Sequence, residues 1–318
     1  ENTLFEQVQL AVVDFDANRR AWKITEHYPN APAKKPAEYW VDENFSALDS
    51  QFTLLGQVFS LARCFDECRQ ERLTAWHPLD FQLLPSPYVI SEAALNGHIR
   101  YQLDTLSNAT IPNTCEQVAK KIGSFWQVDV RRSCSGKNVQ TPEDFSVYLR
   151  ESTWLEINNA QLIAAVSKHI KPSDADFVKM QKLTAYTRKR LGAHLQFQGY
   201  ATALQAFKSR SGDCTEYALL LAALGRVAHV PTRVVMGYAY SRAGFHGKTN
   251  RFAPHAWVQD WVNGAWQSFD AGLKEFNAGH IVLKISDGSQ QDFMAMVQQF
   301  SDLKIKSAQH VVPKRSAP

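Results

Sequence analysis

No apolar run in this sequence approaches the length needed to cross a bilayer as a helix. Internal repeats and low-complexity tracts are absent as well, so a repeat architecture is not indicated. Charge of one sign is also lacking. The 35 Lys and Arg nearly offset 31 Asp and Glu, for a formal net charge of +4. The basic residues fall in short clusters such as Arg131-Arg132 and Arg188-Lys189-Arg190, read as solvated faces. No nucleic-acid partner is expected. No leader is visible, and the start at Glu1 suits a mature or trimmed chain. Cysteine is scarce, at five. Four lie in the first half, Cys64, Cys68, Cys115 and Cys134, and CxxxC with two distant single cysteines matches no strong zinc spacing. An even set suggests two disulfides and an oxidising compartment, periplasmic or secreted. Three connectivities are open. The local closures Cys64–Cys68 and Cys115–Cys134 are the expected pair, against four reduced thiols in a cytosolic protein.

What is present is ordinary globular material, 45% apolar and 21% charged over 318 residues. The length suggests two domains. Residues 1–145 carry short β-branched and aromatic stretches, including FEQVQLAVVDFD, AWKITEHY, QFTLLGQVFSLARCF, HIRYQLDTL and SFWQVDVRR. Turn-rich pieces separate them, and AKKPAEYW reads as a loop. This pattern predicts an all-β, sandwich-like module. Thr141-Pro142 has the form of a helix start. From Thr153 the periodicity is helical, with LEINNAQLIAAVSKHI, a second helix from Ser173 to Gly192, and ATALQAFKSR. A second domain is therefore expected over 146–318.

One stretch organises that second domain: SGDCTEYALLLAALGRVAHVPTRVVMGY, from Ser211 to Tyr238. Asp213 is a good N-cap and Glu216 follows at capping-box spacing, which makes Cys214 the first helical residue. A thiol there meets the positive end of the helix dipole, which is expected to lower its pKa. Free cysteine is also a common buried hydrophobe, so Cys214 alone decides nothing. Downstream, PHAWVQDWVNGAWQSFD reads as a hairpin around Asn263-Gly264. In a two-residue hairpin Trp257 then opposes Asp270, and His255 lies diagonally within reach of it. An imidazole beside a carboxylate is the arrangement of a base and its orienter. Cys214, His255 and Asp270 could instead supply three zinc ligands.

RSGDCTEYA, VPTRVVMGY, PHAWV and GAWQSFD, in that order, resemble the core of the transglutaminase-like superfamily over about residues 155–275. The resemblance implies an α+β chain whose C-terminal part is a papain-like core of helices on an antiparallel sheet. It implies Cys214 as nucleophile, His255 as general base and acid, and Asp270 as orienter. Gln198 and Tyr200 are candidates for the family's extra oxyanion donor. His246, in the loop before His255, is a candidate substrate contact. Neither the acidic calcium loop of the animal cross-linking enzymes nor the paired CxxC of the peptide N-glycanases is present, so no metal and no cofactor is expected.

The expected activity is acyl transfer or hydrolysis on a peptide or carboxamide substrate through a thioester. Family members include peptidases, amidases, cross-linkers and inactive proteins, so fold does not settle substrate. A catalytically silent module that binds a protein or cell-envelope partner is the alternative.

Overall fold

A computed structural model gives the fold. It describes residues 8–27, 29, 37–54, 57–63, 83–104, 110–134, 144–192, 201–243, 248–273, 275–289 and 303–312. The chain divides into two compact units, Glu1–Phe81 and Gln82–Pro318.

The first unit holds five strands: β1 (Gln9–Asp16), β2 (Ala21–His27), β3 (Ala37–Val41), β4 (Ala47–Leu54) and β5 (Gln57–Ala62). They pair antiparallel in chain order. QFTLLGQVFSLARCF is thus a hairpin, not one strand. The expected loop AKKPAEYW gives way to β3 at Ala37, the residue after Pro36, because Glu38 to Val41 all find partners on β4.

The second unit begins with β6 (Leu84–Pro85) and the single turn α1 (Glu92–Leu95). Strands β7 (His98–Asp104), β8 (Gln117–Ile122) and β9 (Phe125–Arg131) follow. In β7, Ile99, Tyr101 and Leu103 alternate inward. Four helices come next: α2 (Ala160–His169), α3 (Asp176–Leu191), α4 (Ala203–Ser209) and α5 (Cys214–Val227). Helix α3 starts later than Ser173, since Lys171 to Asp174 close a turn through Lys171 N–H to Asp174 Oδ2 and Asp174 N–H to Lys171 O. Strands β10 (Thr232–Ser241), β11 (Arg251–Val262), β12 (Ala265–Phe269) and β13 (His280–Ser286) form one antiparallel sheet in the order β12-β11-β10-β13, with β6 on β11. Strand β14 (Lys304–His310) pairs with β7 to give β14-β7-β9-β8. The helix expected after β13 lies largely outside the described residues.

The strands of the first half fall into two sheets in different units, and the compact-unit boundary lies at Phe81/Gln82. The reason is pairing across the whole chain. β7 takes the C-terminal β14 as its neighbour, and Gln117 of β8 donates to Val282 O of β13 and accepts from Val282 N–H, both at 2.8 Å. Next to β8, Cys115 is disulfide-bonded to Cys134, with Cα atoms 4.9 Å apart. Cys64 and Cys68 lie outside the described residues.

Helix α5 is the centre of the second unit. Leu219, Leu220, Leu221, Ala222, Ala223 and Leu224 are all buried, so it is apolar on every side, as a helix between a sheet and other helices must be. A capping box fixes where it begins: Asp213 Oδ1 accepts from Thr215 N–H, and Glu216 Oε2 accepts from Asp213 N–H. That defines the position of Cys214.

Candidate active site

Cys214 is the first residue of α5 and the free cysteine of the described residues. Its sulfur is hydrogen-bonded to the His255 ring and to Ala256 N–H. His255 stands on β11. Asn263 and Gly264, both at positive φ, close the tight β11–β12 turn. Val262 therefore faces Ala265, and Val258 faces Phe269, as expected from sequence. Asp270 follows directly, and its Oδ2 lies 2.8 Å from His255 Nε2. With Nε2 on the carboxylate, Nδ1 is the ring nitrogen left for sulfur. The structure brings the three sequence-chosen residues together in the order sulfur, imidazole, carboxylate.

A second histidine joins them, one that sequence reading passed over. On β10, Gly237 pairs with His255 of β11, and Ala239 pairs with His280 of β13. Positions two apart share a face, so two small residues of the middle strand lie between two imidazoles. His280 Nε2 is 3.0 Å from the same Asp270 Oδ2. Asp270 Oδ1 accepts from Gly272 N–H at 2.8 Å and Leu273 N–H at 3.1 Å. Arg188 of α3 fastens this turn from outside, donating to Asp270 O, Ala271 O and Leu273 O. It belongs to the triplet expected to be a solvated face. Gly272 is needed for closeness: a Cβ there would come within 3.3 Å of His255 Cε1 and 3.8 Å of Cys214 Cα.

The electrostatics follow from burial. Asp270 is buried, which opposes ionisation, yet the charges and hydrogen bonds of His255 and His280 hold its carboxyl well below the usual carboxylate range. Burial works against a charged His255, but Asp270 and the Cys214 sulfur outweigh it and raise the ring to about 10. His280 goes the other way: burial lowers it in spite of Asp270. Cys214 differs from expectation. Enclosure of the sulfur and the neighbouring Asp213 charge raise the thiol, and the His255 imidazolium only partly offsets them. The cap that starts the helix brings a carboxylate to the thiol along with the dipole. Glu216, buried beside Asp213, is raised to about 8 by burial first and then by Asp213.

His255, Asp270 and His280 are the described group whose donor atoms, all within 4.8 Å of one another, suit a metal. Those atoms already satisfy one another as hydrogen-bond partners. Gln198, Tyr200 and His246 lie outside the described residues. No helix among the described residues is long and apolar enough to cross a membrane.

A free thiol at a helix start, an imidazole and a buried carboxylate, carried by a helix and a hairpin in this chain order, can be compared with known proteins. Residues 164–271 match the family model of the transglutaminase-like superfamily. That stretch is similar to a transglutaminase-like core. It is 40% identical over 68 residues to a protein-glutamine gamma-glutamyltransferase of Pseudomonas aeruginosa, covering 20% of this chain and 10% of that protein. It is 27% identical over 124 residues to an uncharacterized protein of Mycobacterium leprae, covering 38% and 44%. The chain thus spans under half the length of these curated relatives. Among solved structures, the periplasmic domain of TgpA from Pseudomonas aeruginosa has a TM-score of 0.33 at 18% identity, over 59% of this chain and 74% of that one. Red sea bream transglutaminase has a TM-score of 0.27 at 12% identity, over 64% and 52%. The matched transglutaminase-like stretch ends at residue 271, so it includes Cys214, His255 and Asp270 and stops short of His280.

Proposed function

We propose that this protein is a thiol acyl enzyme acting on a peptide or carboxamide carbonyl, with Cys214 as nucleophile, His255 as general base and acid, and Asp270 as orienter. The observation that supports it is the unbroken hydrogen-bonded line from the Cys214 sulfur through His255 to Asp270 Oδ2 at 2.8 Å.

Asp270 favours the imidazolium, so when the Cys214–His255 pair has lost one proton the charge arrangement is thiolate and imidazolium. The thiolate attacks the carbonyl carbon, and the carbonyl oxygen becomes an oxyanion. The backbone N–H of Cys214, in the first turn of α5 and without an intrahelical acceptor, is the donor proposed for that charge. The C–N bond breaks as His255 gives its proton to the departing amine, leaving a thioester on Cys214. Water or a second amine then attacks, His255 takes its proton, and a carboxylic acid or a new amide leaves as the thiolate is restored. The likeness to a protein-glutamine gamma-glutamyltransferase of Pseudomonas aeruginosa favours a glutamine side chain as acyl donor. The Cys115–Cys134 disulfide favours an oxidising compartment, periplasmic or secreted. The domain reading that accompanies this is a catalytic unit over Gln82–Pro318.

The raised thiol supports a second reading, a silent module that binds a partner through the same cleft. Incubation with glutamine-containing peptides and an amine probe, followed by mass spectrometry, separates the two. The enzyme reading requires product that disappears in Cys214→Ala. It also requires iodoacetamide to modify Cys214 faster in the wild type than in His255→Ala, at a rate that climbs towards alkaline pH. An inert thiol throughout that range would leave only the binder.

A further inference from the structure

His280 plays no part in that reaction scheme, yet it is fully buried and aimed at the carboxylate that steadies His255. The ionised Asp270 carboxylate can only accept, so Nε2, 3.0 Å from its Oδ2, carries a proton. Nδ1 faces the Asn277 turn, 3.3 Å from Asn277 N–H and Oδ1 and 3.1 Å from Asn277 O. The turn supplying that N–H is held from several sides. Gly279 N–H donates to Asn277 Oδ1 at 2.8 Å, His280 N–H to Asn277 O at 3.1 Å, and the Tyr101 hydroxyl to Ala278 O at 2.8 Å. Phe276 and Trp257 pack on the ring, with centroids 4.9 and 5.2 Å away. His280 is therefore a firmly held donor to Asp270, in a burial that favours the neutral ring.

A carboxylate has about four lone-pair sites. Those of Asp270 are all taken, two by the Gly272 and Leu273 amides on Oδ1 and two by the imidazoles on Oδ2. Without His280, one Oδ2 site would be empty in a dry interior, and the carboxylate's charge would fall more fully on His255. We propose that His280 is a positioning residue: its Nε2–H holds Asp270 Oδ2 in line with His255 and, by sharing that oxygen, limits how tightly Asp270 binds the imidazolium. An imidazolium bound too tightly is a poor acid toward the departing amine. The inference rests on the assignment of His255 and Asp270 made above.

The charged and titratable groups facing the pair are few. Asp270 and His280 face His255 from the sheet. Cys214 faces it from α5, with Asp213 and Glu216 behind the thiol. Arg188 of α3 lies behind the Asp270 turn. Apart from His280 itself, none of them differs between the His280 variants below, so a shift in His255 reports the Nε2–H.

The test is NMR titration of the His255 ring in the full chain, with His255→Ala to assign the resonance. In the wild type, His280 is expected as a neutral Nε2–H tautomer across neutral pH. A neutral Nδ1–H tautomer, or an imidazolium there, would overturn the proposal without any variant. In His280→Phe, which keeps a ring but no donor, the His255 midpoint is expected to rise by about one pH unit, a tenfold change in proton affinity. His280→Gln, whose amide extends about as far as Nε2, is expected to return it most of the way. A His280→Phe protein that melts earlier but titrates like the wild type would reduce His280 to a packing role, as would a His280→Gln variant no better than the Phe variant. Failure of the underlying assignment looks different: Cys214 alkylation in the wild type would then be indifferent to His255→Ala.

Discussion

The two compact units differ in how they use charge. In the first, ion pairs lie on the surface of the five-stranded sheet: Arg19–Asp49, Arg20–Glu43, Lys23–Glu38 and Arg63–Asp42. Few of its described residues are buried, chiefly Ala21, Ile24, Thr25 and Val41, while Leu10, Val12, Val13 and Phe15 of β1 are exposed. The second unit has exposed pairs too, such as Arg132–Glu275 and Arg242–Glu92, but it also places charged and polar groups inside. Asp270, His255, His280, Glu116, Asp260 and Arg226 are all buried. Water screens the first set, so each pair contributes little. Each buried group instead depends on a specific partner, and losing the partner exposes the full cost of desolvation. The difference teaches where sequence changes will matter.

The sharpest way to break the contrast is at Cys214 and His255. Replacing either by Ala is expected to lower turnover at least about a thousandfold, because nucleophile and base fail as a unit. Rates on a glutamine peptide measure it, and retained activity in Cys214→Ala would remove the second unit's functional claim. Arg226 comes next. Its guanidinium donates to Thr232 O, Arg150 O and Asp287 O, joining α5 to the segments before α2 and after β13. Arg226→Met keeps bulk and leaves three carbonyls without their donor, at an expected cost of about 3–5 kcal/mol in urea unfolding.

Glu116 tests the contrast through pH. Its carboxylate accepts from Ser268 N–H at 2.8 Å and, through its other oxygen, from Ser268 Oγ and Gln259 Nε2. Burial raises it to about 7 from the usual 4.5, against those bonds and the Arg233 charge. Between pH 4.5 and 7 the folded protein keeps a proton that the unfolded chain has lost. Stability on this account falls as pH climbs through that window, by roughly 3 kcal/mol. Glu116→Gln is expected to flatten that part of the pH–stability curve. An unchanged slope would show the group to be better solvated than its surroundings imply.

What could be read from the sequence follows the range of the signal. Asp213 with Glu216 and Asn263 with Gly264 are local patterns, and each fixed a site residue: the first placed Cys214 at a helix start, the second set the register beneath Asp270. His280 had no such pattern. It is one histidine opening an apolar strand, and only the order β11-β10-β13, with Gly237 and Ala239 in the middle, turns it toward Asp270. Arg188 was hidden for the opposite reason, since a run of three cations looks solvated wherever it occurs. The module boundary near residue 145 came from a change of periodicity. Pairing of β7 with β14, some two hundred residues away, leaves no local trace. The thiol's direction has no local signal either: burial of the sulfur raises it first, and the charge of the capping Asp213 adds to that.

The smallest effect is expected in the first unit, and it is the control that gives the others meaning. Arg20–Glu43 joins two largely exposed side chains across the β1–β2 turn and the β3–β4 connection. Holding two long side chains together costs rotamer entropy, and water screens what attraction remains. A double-mutant cycle of Arg20→Ala and Glu43→Ala should return a coupling of about 0–1 kcal/mol, shrinking further in high salt. A coupling as large as the loss in Arg226→Met would mean that this surface is drier than its exposure indicates, and the two units would then differ in composition but not in how they use charge.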